Sequence, residues 1–275
     1  MQLDLHIHSS ASDGRFAPAE LVIAAAQGKL DVIALTDHDT VAGVAEACAA
    51  AVESAVQVVP GIEISTRAAE GEFHILGYGI DPLTPALVTH SRQSGARRAE
   101  RMQAMLDRLR PLGIEVELEE VDALAGFPAC LGRPHLARAL VARGRVASVG
   151  EAFERYLRDG GPAFVVTEFP SVQEAIERIH AAGGVAVWAH PPTDLIAEVL
   201  PRLVALGLDG VECHRPRTPP QVVSRLVQIA RAHDLLVTGG SDWHGPHNGP
   251  LGRFRVAGRT VSDFVERCVT LPVAR

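Results

Sequence analysis

The chain opens on a period-two pattern in which Leu3, Leu5 and Ile7 alternate with Asp4, His6 and His8. Such alternation belongs to a β-strand, and it directs both imidazoles off one face. Two residues of strand rise separate them by roughly 6.5–7 Å at Cα, close enough to converge on one cation. Near the other end, the apolar strand expected over 235–238 runs into Gly239-Gly240-Ser241-Asp242-Trp243-His244. There Asp242 and His244 are again two residues apart.

Between these ends the pattern alternates strand and helix. A helix is expected over 18–27, with Pro18 at its first position and Gly28 as its stop. A short buried strand over 31–35 ends in Thr36-Asp37-His38-Asp39, and a helix over about 41–53 follows, capped by Asp39 or Thr40. A strand over 56–59 leads to Pro60-Gly61-Ile62-Glu63-Ile64-Ser65, and another covers 73–78. From 85 to about 157 the period turns helical, as in Met102, Met105, Leu106 and Leu109. The earlier rhythm then returns: helix 172–182, strand 185–188 ending in His190-Pro191, helix 195–206, strand 210–214, helix 221–233, the strand before Asp242, and a closing segment over 261–269. Strand and helix alternating on both sides of the middle segment predict parallel strands in an α/β barrel. Residues 1–83 and 159–275 would form that barrel, and 84–158 a helical insertion covering its mouth.

Composition adds bounds. Hydrophobic residues make up 47% of the 275, which rules out a disordered chain and allows a sizeable core. No apolar run reaches membrane-spanning length, and the N-terminus enters a strand without a basic region or cleavage site, so a cytoplasmic protein is expected. Cys48, Cys130, Cys213 and Cys268 lie far apart with no C-x-x-C pair, which indicates packing rather than a disulfide framework or a thiolate zinc site. The net charge is −7, yet residues 84–158 carry 12 arginines against 9 acids. A locally basic middle suggests an anionic substrate, or an ordinary solvated helical surface. Lys29 is the only lysine and aromatics are 4%, which argues against duplex DNA and against a long stacking platform for single strands.

Nine side chains fall at or just beyond predicted strand ends: His6, His8, Asp13, His38, Glu63, His74, His190, Asp242 and His244. In an α/β barrel the carboxyl ends of the strands share one rim, where residues scattered through the sequence can meet. Six imidazoles and three carboxylates without a thiolate suit Zn, Mn or Fe rather than Ca or Mg, and exceed what one tetrahedral cation takes. Two or three divalent ions would leave a net positive pocket for a phosphate and an attacking hydroxide. For His90, His180, His233 and His247, on helical faces or in loops, a structural role is expected.

With those residues assembled, the chain resembles the PHP (polymerase and histidinol phosphatase) family of phosphoesterases. The matching motifs are His6-Ile7-His8 with Asp13, Thr36-Asp37-His38, Pro60-Gly61-Ile62-Glu63, His74, His190-Pro191 and Ser241-Asp242-Trp243-His244. The resemblance implies a distorted (β/α)7 barrel binding two or three metals, with the helical insertion domain capping the active site. It implies that His6, His8, Glu63 and Asp242 hold one ion. Glu63 would bridge to a second, shared with His74 and His190, while Asp13, His38 and His244 hold the third.

Within the family, the insertion after His74 and the Gly132-Arg133-Pro134-His135 stretch are similar to the 3′,5′-nucleoside bisphosphate phosphatase group, whose members also act as 5′→3′ exonucleases on short RNA. That similarity implies release of the 3′-phosphate from pAp-like nucleotides by a Mn-dependent enzyme, with a metal-bound hydroxide as nucleophile. The physics of the stretch agrees: Arg133 offers a fork of donors that fits phosphate oxygens, Pro134 holds the backbone, and His135 could donate a second bond. A helix N-terminus beginning there would itself favour an anion. His135 and His214 are the candidates for a proton donor to the leaving oxygen, and Arg215 is a further candidate substrate contact. The competing readings are a small-metabolite phosphatase, such as one for histidinol phosphate, and a non-catalytic accessory module. The sequence says nothing of the oligomeric state.

Overall fold

The computed structural model describes residues 1–125 and 131–269. Cys130 lies outside them. The polar face of the first strand, β1 (Gln2–Ile7), is as buried as its apolar face: Asp4, His6 and His8 are all fully shielded from solvent. Buried ionisable groups need partners, so this face marks a site rather than a core.

After α1 (Pro18–Gln27), β2 (Val32–Leu35) pairs parallel to β1, with Leu3 opposite Val32. The next helix, α2 (Val44–Ala51), starts later than expected. Asp39, expected as its cap, instead accepts hydrogen bonds from the Arg98 guanidinium and the Ser65 N–H. The expected strand 56–59 and the Pro60–Ser65 stretch are one long strand, β3 (Gln57–Ala68), parallel to β2. Glu63 therefore stands inside a strand rather than beyond one.

The largest departure from the all-parallel expectation is β4 (Gly71–Tyr78), which runs antiparallel to both its neighbours. Residues 69 and 70 are all that separates it from β3. A link that short permits a hairpin, whereas a parallel return requires a crossover of a dozen residues or more. The reversal puts His74, near the start of β4, beside Ser65 on the same rim.

The chain then forms α3 (Pro85–Leu109), α4 (Leu118–Ala125), α5 (Arg133–Ala142) and α6 (Val149–Ala152), which continues as a π-helical turn over Phe153–Leu157. These helices bury their own apolar cluster, in which Met102, Met105, Leu106 and Leu109 meet Val121, Leu136, Leu140 and Leu157. The main core, including Leu3, Leu5, Ile62, Ile64, Ile75, Trp188 and Val211, is separate.

The later elements follow the expected rhythm: α7 (Val172–Ala181), β5 (Val185–Trp188), α8 (Ile196–Ala205), β6 (Gly210–His214), α9 (Pro220–Ala232), β7 (Leu236–Gly239), β8 (Val256–Ala257) and α10 (Ser262–Cys268). The sheet runs β7-β6-β5-β4-β3-β2-β1-β8, with β8 a two-residue antiparallel addition to β1. Beyond β7, Trp243 donates its N–H to the His6 carbonyl and accepts from the His8 N–H at 2.9 Å, which closes the β7–β1 gap. Gly240 makes that closure possible: a Cβ there would lie 2.3 Å from the His6 Cβ. The result is a nearly closed mixed barrel with helices around it. Among the described residues no helix is long and apolar enough to cross a membrane.

Candidate metal centre

Glu63 is the hub of the site. Fully buried in β3, it turns one carboxylate oxygen, Oε2, toward His6 Nε2 (3.3 Å), His8 Nε2 (3.2 Å) and His38 Nδ1 (3.0 Å). Its other oxygen, Oε1, faces His74 Nδ1 at 2.9 Å and His190 Nε2 at 3.1 Å. Asp242 Oδ1 lies 3.4 Å from His6 Nε2 and 3.2 Å from His8 Nε2. On the far edge of the His8 ring, Asp13 Oδ1 sits 3.1 Å from His244 Nε2, and the His8 and His244 rings stack at 4.1 Å. All nine expected side chains thus meet at one rim.

Three groups of these atoms lie within 4.8 Å of one another, the spacing in which an ion could be held. They are His6, His8, Glu63 and Asp242; His38, Glu63 and His74; and His8, Asp13, His38 and His244. The first coincides with the grouping implied by the resemblance. The others differ from it: His38 joins Glu63 and His74, and His8 joins the Asp13 group. His190 lies outside all three while remaining within contact of Glu63.

The residues fit divalent cations on two counts. His6 Nε2, His8 Nε2 and Glu63 Oε2 are buried and close, yet none makes a hydrogen bond. The two imidazole nitrogens stand 3.3 and 3.2 Å from the carboxylate oxygen, and leaving such buried groups unsatisfied is costly without an ion. The donor set is all nitrogen and oxygen. Electrostatics agree. Burial opposes charge on Asp13, Glu63 and Asp242, but His244, His38 and His6 respectively lead the imidazoles that hold them well below the carboxylate range. Burial likewise opposes charge on the imidazoles, yet neighbouring carboxylates raise His8 and His74 to about 10. His38 is driven down to about 3 by burial, which outweighs the pull of Glu63. The site demands positive charge at its centre, and divalent ions would supply it.

Several supporting groups escaped the sequence reading. Glu212, fully buried in β6, receives a hydrogen bond from His6 Nδ1 at 2.9 Å and from the His190 N–H at 2.8 Å. Asp37 accepts from the Ser9 N–H and from the hydroxyls of Ser9 and Ser12, which ties the loop carrying Asp13 to the end of β2. His190, Asp39 and Asp242 all adopt positive φ, an uncommon conformation for non-glycine residues that Lys29 and Asp234 also take at the ends of helices.

A cavity of about 160 Å³ borders the cluster at Asp13, His38 and His74. Its other walls bring together Arg98, Arg101 and Arg133, with Gly132 and Pro134 from the start of α5. Burial, and then the charges of Arg133 and Arg98, push Arg101 down to about 10. His90, Ser94, Arg98 and Arg101 share one face of α3: His90 Nε2 pairs with Asp39 Oδ1 at 3.2 Å, Arg98 pairs with the same carboxylate, and Arg98 and Arg101 line the cavity. The sequence signal for Arg98 and Arg101 was there, in that spacing.

The remaining candidates part company. Arg133 lines the small cavity and also pairs with Asp159 at 2.6 Å. His135 is buried behind it, its Nδ1 accepting from the Gly132 N–H at 2.9 Å, which leaves its proton on Nε2. Burial, aided by Arg138, presses it down to about 4, so it is neutral at pH 7. His214 would share a strand face with Glu212, but the pairing of β6 with β7 shifts register between them. That irregularity turns His214 into a separate groove with Val223 and Thr260, which none of the nine lines. Arg215 lines a larger cavity that includes His190 and Asp242. Of the four histidines given structural roles, His90 and His180 are engaged by Asp39 and Asp209, whereas His247 lines the cavity beside Asp242.

Comparison with known proteins places this geometry. The PHP domain model matches residues 4–158. A 5′-3′ exoribonuclease of Haemophilus influenzae is 38% identical over 251 residues, covering 88% of this chain and 90% of that one. A 3′,5′-nucleoside bisphosphate phosphatase of Chromobacterium violaceum is 34% identical over 252 residues, with 90% and 88% covered. Among solved structures, one from Bifidobacterium adolescentis, named for a metal-dependent phosphoesterase, superposes with a TM-score of 0.87 at 34% identity, covering 98% of this chain and 97% of that one. Likeness of that extent in both sequence and backbone is inherited, and this chain belongs to the PHP domain family.

Proposed function

We propose that the protein is a metal-dependent phosphoesterase that removes the 3′-phosphate of 3′,5′-bisphosphate nucleotides, converting pAp to AMP, and that releases 5′-nucleotides from the 5′ ends of short RNA. One observation carries the reading: the cavity holding Arg98, Arg101 and Arg133 shares its wall with Asp13, His38 and His74. A substrate with two phosphates finds one anion site at the cluster and a second at the guanidiniums. Arginine forks suit the terminal 5′-phosphate, and the N-terminus of α5 adds its dipole. The nine side chains are the ligands in this reading, with manganese the preferred ion. The helices of 84–158 act as the substrate-binding cap over a barrel of 1–83 and 159–275, in a cytoplasmic enzyme.

When bound, divalent ions supply Lewis-acid polarisation of a phosphoryl oxygen and an acidified water as nucleophile. Glu212 orients His6 and the backbone at His190, and Asp37 holds the Ser9–Ser12 loop that presents Asp13. Arg101 and Arg133 grip the 5′-phosphate and so fix the 3′-phosphate at the cluster. Water adds to phosphorus, the bond from phosphorus to O3′ breaks, and a proton ends on that oxygen.

The histidinol-phosphate reading is disfavoured, because a monophosphate carrying an amine would leave the arginine cavity facing a cation. The test is metal analysis joined to a substrate panel of pAp, 5′-AMP, histidinol phosphate and a 5′-phosphorylated trinucleotide. Phosphate release from pAp, with histidinol phosphate untouched, is the expected result. A protein that holds metal and hydrolyses no phosphoester would return the accessory-module reading.

A further inference from the structure

A second cavity, of about 730 Å³, opens against the cluster from the side of His190 and Asp242 and has no lining residue in common with the arginine cavity beside Asp13. Its size falls within the roughly 300–1,000 Å³ typical of ligand sites. Arg215 and Arg217, in the loop after β6, line it together with Arg253. None of these three guanidiniums forms a hydrogen bond or an ion pair among the described residues, and the Nε of Arg215 is buried with no partner. Arg217 is held at φ 60°, between Pro216 and Thr218, in a conformation that costs a non-glycine residue free energy. Phe254, half-buried, offers a ring in the same wall.

We propose that this cavity receives the RNA chain downstream of the scissile phosphodiester, with its backbone phosphates along Arg215, Arg217 and Arg253. The proposal rests on the phosphoesterase reading above and extends it from a nucleotide to a polynucleotide path. With the terminal 5′-phosphate at Arg101 and Arg133, the next phosphodiester lies at the cluster. The oxygen of one water bonds to phosphorus, the bond from phosphorus to the terminal nucleotide's O3′ breaks, and a proton passes to that O3′. The rest of the chain stays attached to phosphorus through its 5′ oxygen and keeps a 5′-phosphate. It therefore needs a way out that does not pass through the arginine cavity, and the 730 Å³ cavity is that way. Unpaired guanidiniums match backbone phosphates without regard to base, and Phe254 gives one base a surface on which to stack.

The test compares parent enzyme with an Arg217→Gln/Arg253→Gln variant on pAp, which has no downstream chain, and on a 5′-phosphorylated pentanucleotide. Both side chains are exposed, so the substitutions leave the fold, and pAp turnover reports on that directly. The expected result is a kcat/KM for pAp within twofold of the parent and a loss of tenfold or more on the pentanucleotide, carried mainly by KM. The salt dependence on the pentanucleotide should also become shallower. Equal loss on both substrates, or none on the pentanucleotide, overturns the proposal. A parent that hydrolyses pAp but leaves the pentanucleotide intact overturns the exit path and leaves the phosphatase reading standing. A parent that cleaves neither overturns both.

Discussion

Glu212 and His6 are joined by a 2.9 Å hydrogen bond between two fully buried side chains, one from β6 and one from β1. The bond takes up His6 Nδ1 and leaves Nε2 aimed at Glu63 and Asp242. The other oxygen of Glu212 takes the His190 N–H. A single carboxylate therefore orients the His6 imidazole and holds the backbone that carries His190. Glu212→Gln keeps the shape but must offer an amide N–H to one of two donors. Metal affinity should fall about 10- to 100-fold, as for other partners of ligand histidines. Isothermal titration of the chelated protein with Mn²⁺ reads this directly, and undiminished affinity would remove Glu212 from the ligand scaffold.

Asp13 belongs with His8, His38 and His244 to one group of possible ligands, His38 also to the group with Glu63 and His74, and both border the arginine cavity. Asp13→Ala or His38→Ala should reduce pAp turnover by about a hundredfold or more, in line with loss of a charge-stabilising group. Circular dichroism of both variants should match the parent. Undiminished activity in the Asp13 variant would mean that no ion at the Asp13 group is needed, and in the His38 variant that His38 is not a required ligand in either group.

In the proposed reading, Arg101 and Arg133 serve the 5′-phosphate, which not every candidate substrate carries. Arg101→Ala and Arg133→Ala should raise KM for pAp about tenfold or more, since charge-assisted bonds are worth about 1.5–3 kcal/mol. Turnover of 3′-AMP, which lacks the 5′-phosphate, should change little. Equal losses on the two nucleotides would show that these arginines act elsewhere.

His135 couples stability to pH. Its folded-state pKa of about 4 lies below the ordinary 6.5, through burial and Arg138. Between those values the unfolded chain binds the proton that the folded one refuses, so stability falls as pH drops from 6.5 toward 4. The contribution is as much as about 3 kcal/mol. His135→Gln keeps an acceptor for the Gly132 N–H, as glutamine does at the third position of helices, but has no proton to gain. Urea unfolding of chelated proteins at pH 4.5 and 7 should therefore show a steeper acid loss for the parent than for the variant. Parallel profiles would mean that His135 is solvated.

The ends of the chain were the most legible parts of it. Alternation in residues 3–8 implied one face for His6 and His8, and the structure brings both against Glu63. The βα rhythm placed the later strands correctly, because each was a short apolar run between amphipathic helices. The rhythm misled at β4, where the residue count between strands, not their apolar pattern, decides direction. It misled again at His214, whose face changes at a register shift with β7. A shift of register is a property of two strands together and leaves no mark in either alone.

What the amino-acid order determined by itself was chemistry and local direction: nitrogen and oxygen donors without sulfur, at spacings that give a strand one functional face. These follow from bond geometry within a few residues. Which side chains come close enough to share an ion, that Glu63 stands at the hub, that α3 turns Arg98 toward Asp39, and that Glu212 rather than His214 faces inward were decided by tertiary packing. Helix rotation, strand direction and register are set where elements meet, and those contacts join residues as far apart as His6 and Glu212.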